Sequence, residues 1–225
     1  MKLKMMFAFV AVCGAVGLVL SVGGANAVAG DQAAVATASL GGCAMAGTDA
    51  EFVGSKKCKM CHSKQYKSWE ESTHAKAFEL LKPGEAKEAK EKFKLDPAKD
   101  YTTDKACLAC HSTGFGHKGG YAVPDAADEK AVKKAKKLAH VGCESCHGGG
   151  KVYGKVKKAI KKEKRKYKLE ELTSVGLIKI DAKTCTACHN EKSPTYDEAK
   201  KFKYEEMVKC EKGVHVHEPL KLRED

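Results

Sequence analysis

The chain has 225 residues, 41 Lys+Arg against 29 Asp+Glu, a formal net charge of +12 and only 7% aromatic residues. That length suits one ordinary domain or two small ones, and so few large apolar side chains predict a thin protein-only core that needs apolar surface from elsewhere. Collagen-like, coiled-coil and multi-span membrane classes are excluded: no Gly-X-Y or sustained heptad pattern runs through the chain, and its one long apolar stretch is N-terminal.

Lys2 and Lys4 precede an apolar run over residues 5–22, and Ala25-Asn26-Ala27 has the small-x-small form of a cleavage site. The pattern predicts an export signal over 1–27, with an uncleaved anchor as the alternative. After its removal no membrane span is expected. Cys43 follows Leu40-Gly41-Gly42, a lipobox-like string, but Asp31 and Gln32 separate it from the apolar run. Residues 28–50, rich in Ala and Gly, read as a flexible leader to a domain over 51–225.

Within the domain, residues 65–82 are expected as a helix ended by Pro83 and Gly84, and 85–95 as a short charged helix stopped near Asp96 and Pro97. Residues 113–121, with four Gly, read as a loop. Residues 125–139 open acidic and fill with Lys, which suits the helix dipole. Gly148, Gly149 and Gly150 are a breaker, and 202–212 is a final helix. Strand patterning is nearly absent. In residues 155–168, nine of fourteen are basic. That run has two readings: a solvated segment that offsets negatively charged groups, or a docking face for an acidic partner. Nucleic acid is not expected as a partner of an exported chain with only Tyr153 and Tyr167 close enough to stack.

Cysteine carries the chemistry. Cys13 lies in the signal, and eight of the other ten fall in four identical frames. These are Cys58-Lys59-Met60-Cys61-His62, Cys107-Leu108-Ala109-Cys110-His111, Cys143-Glu144-Ser145-Cys146-His147 and Cys185-Thr186-Ala187-Cys188-His189. A redox dithiol, a zinc ribbon or a disulfide scaffold does not need a His directly after each second Cys. C-x-x-C-H is the attachment frame of c-type haem: each Cys bonds one vinyl group of a porphyrin, and the His binds its iron. The chain therefore predicts four covalently attached haem c groups, which also supply the missing apolar surface. The expected architecture is mostly α, a compact multihaem cytochrome c with little strand and a core built on four packed haems.

His62, His111, His147 and His189 are the proximal ligands on this reading. His74, His117, His140, His215 and His217 remain for the sixth positions, while Met45, Met60 and Met207 are poorly placed, so bis-His, low-potential sites are expected. The leftover thiols, Cys43 and Cys210, are each free or joined to one another.

Beyond the frames the chain resembles the tetrahaem cytochrome c-554 family. The likeness is carried by Lys56-Lys57-Cys58, Thr73-His74-Ala75-Lys76-Ala77, the string from Lys94 to Thr102, Gly114-Phe115-Gly116, Lys118-Gly119-Gly120-Tyr121, Val141-Gly142-Cys143 through Gly148, Glu206-Met207-Val208-Lys209 and His215 with His217. It implies a mostly helical fold with closely packed haem pairs and a periplasmic electron carrier that accepts electrons from hydroxylamine oxidoreductase and hands them to a downstream cytochrome. It further implies His74 as distal ligand to the haem held by His147, His215 as distal ligand to the haem held by His189, and a five-coordinate haem at His111. The family's ligand to the first haem follows the Gly-rich segment after the third motif, where this chain has no His from Lys151 to Val156. His140 is the candidate in its place, and His117 is a candidate for another haem or a neighbouring subunit. Electron transfer is the expected function; a nitrogen-oxide reductase at an open haem and a subunit of an extracellular haem filament are the alternatives.

Overall fold

The computed structural model describes residues 51–209 and Val214. The export signal, the leader, Cys43, Cys210, His215 and His217 lie outside the described residues. Ten α-helices, most of them short, are joined by turns, with no strand among the described residues.

Helix starts follow the local chemistry. Asp104 caps α4 (Lys105–His111) by accepting from the Ala106 N–H at 2.9 Å. Asp128 caps α5 (Glu129–Leu138) through the N–H groups of Lys130 and Ala131. Asp181 opens α9 (Ala182–Thr186) with a reciprocal capping box to Thr184. Such caps are worth about 1 kcal/mol each, and two of the three start helices that carry a C-x-x-C-H frame.

The segment expected as one helix over 65–82 is broken. It forms α1 (Ser63–Glu71), α2 (Thr73–Lys76) and a 3-10 turn at Glu79–Leu81. The break is at Ser72, which is extended (ψ 160°); its hydroxyl donates to the Trp69 carbonyl and accepts from the Ala75 N–H. The short charged helix shrinks to α3 (Lys87–Lys92), between Ala86 and Lys94, both left-handed. The acidic start of α5 is Asp128, three residues later than the first acidic residue of the expected helix. The triple glycine breaks and then starts structure: Gly150 caps α7 (Lys151–Glu163), which covers the first half of the basic run and stops at left-handed Lys164. Of the final helix the described part is α10 (Tyr204–Met207). Residues 113–121 are a loop of turns, as expected.

The apolar core is small, as the composition requires. Phe78, Leu81, Tyr101, Leu108, Tyr121, Ala135 and Leu138 form one cluster; Ile160, Tyr167 and Leu172 form a second between α7 and α8 (Glu170–Thr173). Leu108 belongs to the second C-x-x-C-H frame, so that frame is anchored directly in the larger cluster. Complete burial of a leucine contributes about 1.5–3 kcal/mol.

Candidate haem sites

Each frame occupies one helical turn, and the turn explains its chemistry. At roughly 100° per residue, positions i, i+3 and i+4 share a face, so two thiols and an imidazole point the same way. The first frame winds through a 3-10 segment (Ser55–Met60), and the His62 N–H donates to the Cys58 carbonyl at 2.9 Å. The second lies in α4, the third is α6 (Cys143–His147), and the fourth runs off the end of α9, with the His189 N–H on the Cys185 carbonyl at 3.0 Å. Seven of the eight frame cysteines are half-buried and Cys61 is exposed.

The frames meet in pairs. The Cys58 and Cys143 side chains are neighbours, joining the first motif to the third. Those of Cys110 and Cys188 join the second to the fourth. Close approach of first and third motifs is enforced by shape. Gly142, just before Cys143, has no room for a Cβ, which would fall 2.4 Å from the Ser55 hydroxyl. Gly148, just after His147, has φ +79° and its Cβ would meet the Gly176 carbonyl at 2.3 Å.

The imidazoles are held in the form that binds metal. Burial lowers the pKa of His62, His74, His111 and His189, and a neutral ring keeps a lone pair for a metal. For His62 the nearby Lys157 charge adds to burial, and for His74 the His189 ring does. His111 Nδ1 donates to the Ala77 carbonyl at 2.6 Å, which fixes the ring and leaves Nε2 for iron. The His189 ring is covered although the residue as a whole is open to solvent: the ring stacks on Phe202 at 4.7 Å and lies 5.9 Å from the His74 ring. His147 is half-buried, and its carbonyl accepts from the Ile178 N–H.

His140 is set among the first-motif residues. Its Nε2 is 3.2 Å from the Ser55 hydroxyl, three residues before Cys58, and its ring meets Trp69 edge-on at 5.0 Å. Burial pulls its pKa down to about 4. His117 is half-buried in the 113–121 loop, its backbone tied to Gly114 and Gly120.

Three supports were not read from the sequence: the Ala77 carbonyl, the Ser55 hydroxyl and the Glu144 carboxylate. A backbone acceptor leaves no mark in a sequence. Glu144 did leave one, an acidic residue between the two cysteines of a frame.

Four turns, each aiming two thiols and an imidazole from one helical face, in a strandless fold with little core of its own, define a tetrahaem c-type cytochrome, an electron-transfer protein. Haem supplies the iron that changes between ferric and ferrous; the chain supplies thioether anchors, axial nitrogens and the surrounding field. The family described as Cytochrome c554 and c-prime matches over residues 57–148. Cytochrome c-554 of Nitrosomonas europaea is 41% identical over 191 residues, covering 76% of this chain and 78% of its own. The reduced-state structure of cytochrome c554 from Nitrosomonas europaea matches with a TM-score of 0.65 and 43% identity, covering 79% of this chain and 91% of that one. The chain belongs to the cytochrome c-554 family.

Proposed function

We propose that this carrier works in the periplasm, with 1–27 an export signal and 28–50 a leader to a single domain from residue 51. It takes electrons from a donor of the hydroxylamine oxidoreductase kind and passes them to a downstream cytochrome; nucleic acid is not a partner. The observation that carries the docking part of this reading is the surface of α7 and the segment after it, where Lys155, Lys158, Lys161, Lys162, Lys164, Arg165, Lys166 and Lys168 are all exposed. A concentrated positive face steers an acidic partner and speeds encounter, an effect that salt screens. Stopped-flow reduction by hydroxylamine oxidoreductase tests it. Changing Lys155, Lys158, Lys161 and Lys162 to Glu slows reduction several-fold at low ionic strength, and the two proteins converge at high salt. A rate indifferent to both changes places docking elsewhere.

The axial assignments belong to the same proposal. His74 is paired with His189 about the fourth-motif haem, supported by their facing rings, whereas the family resemblance alone had given His74 to the His147 haem. An iron has two axial positions, so on this pairing His215, which the resemblance gave to the His189 haem, serves a different haem. His140 serves the first haem, supported by its place as a buried neutral imidazole beside Ser55. His117 is the candidate for the second haem or for a neighbouring subunit. Ferric EPR counts the high-spin and low-spin irons that this set requires. A weak reductase activity at the second haem is a further reading, taken from the resemblance, which implies a five-coordinate haem at His111; failure of the reduced protein to bind carbon monoxide overturns it.

A further inference from the structure

Among the described residues two formally charged side chains are buried, and they have opposite signs: Glu144, 0% exposed, and Lys90, 5% exposed. Each stands at a different motif pair. Glu144 lies between Cys143 and Cys146 and clamps the approach to the first motif. Its Oε1 accepts from the N–H groups of Val53 at 2.9 Å and Gly150 at 2.6 Å, and its Oε2 from Gly54 at 2.7 Å. These donors hold a carboxylate without cancelling its charge, and that charge reaches both Cys58 and Cys143. Burial raises the Glu144 pKa, and the three N–H bonds pull the other way.

Lys90 lies at the other end. Its Nζ donates to the Lys82 carbonyl at 2.6 Å and sits 5.4 Å from the Tyr101 ring centroid. Tyr101 packs in the cluster that holds Leu108 and Cys107 of the second motif, and the Lys90 charge reaches Cys107. Asp104, half-buried, and Lys99, exposed, also act on Cys107, with opposite signs; of the three charges only Lys90 is buried.

We propose that these two buried charges polarise the protein internally: Glu144 lowers the reduction potential of the first- and third-motif haems, and Lys90 raises that of the second-motif haem and its fourth-motif neighbour. A buried anion favours the ferric state and a buried cation the ferrous state, and in a low dielectric neither is muted as a surface charge would be. Electrons arriving at the first and third motifs then run downhill to the second and fourth. The inference rests on the tetrahaem family reading, which mass spectrometry of the holo-protein checks first and separately.

The test is a haem-resolved reductive titration of the four-haem protein, followed by NMR of the haem methyl groups. E144Q shifts the first and third haems to higher potential and leaves the other two in place. K90M shifts the second haem, and to a smaller extent the fourth, to lower potential. Salt supplies an arm that needs no variant: the spread between the pairs in the unmodified protein persists at high ionic strength. A spread that collapses with salt, variants that move all four haems alike, or shifts of the opposite sign overturn the proposal.

Discussion

His74 and His189 face each other edge to ring, their centroids 5.9 Å apart and their planes at 75°. Two imidazoles bound to opposite sides of one metal, with nitrogen–metal bonds of about 2 Å, place their centroids about 6 Å apart. That separation is what the proposed shared ligation would use, and it is the proposal's support rather than its test. Replacing His74 by Ala converts one haem from low-spin to high-spin while four remain attached, as read by EPR and mass spectrometry. An unchanged low-spin count removes the assignment.

Haem number responds to the cysteines one frame at a time. Denatured protein carries four haem additions by mass. Changing Cys185 and Cys188 to Ala leaves three, because each frame anchors its own porphyrin through two thioethers. Loss of more than one addition shows that attachment at one frame depends on another.

Acid tests the proposed ligation by His140. A proton and the first haem's iron compete for the same ring nitrogen, and burial already disfavours the protonated ring. On acidification one haem of the native protein turns from low-spin to high-spin, whereas in H140Q that haem is high-spin at every pH, as read by optical and EPR spectra. An H140Q protein with the native low-spin count overturns the assignment.

The larger apolar cluster is the other reserve of stability. Leu138 is 1% exposed and packs with Leu108 and Tyr121. Leu138→Ala costs about 2–5 kcal/mol by transfer and cavity terms, measured by denaturant unfolding of the holo-protein. A loss below about 1 kcal/mol would mean that the haems, not this cluster, carry the stability here.

Much of this was legible in the residues. The four frames gave the cofactor and its number, because thioether chemistry tolerates one spacing. The scarcity of large apolar side chains gave the thin core. The break at Ser72 was hidden because its cause is a hydroxyl that bonds forward and backward along its own chain, which a helical pattern in 65–82 does not reveal. The nearness of His74 and His189 was hidden for a different reason: it is a tertiary contact. Glu144 was in plain view inside its frame, but the N–H groups that make it a clamp come from Val53, Gly54 and Gly150, and only folding brings them together.

The order in which the motifs meet has one more consequence. The first touches the third and the second touches the fourth, through Cys58 with Cys143 and Cys110 with Cys188. The two pairs therefore interleave along the sequence. A cut anywhere from the end of the first frame to the start of the fourth separates at least one pair, and a cut between Cys110 and Cys143 separates both. The protein has no two-haem half that can be excised, duplicated or traded with another chain.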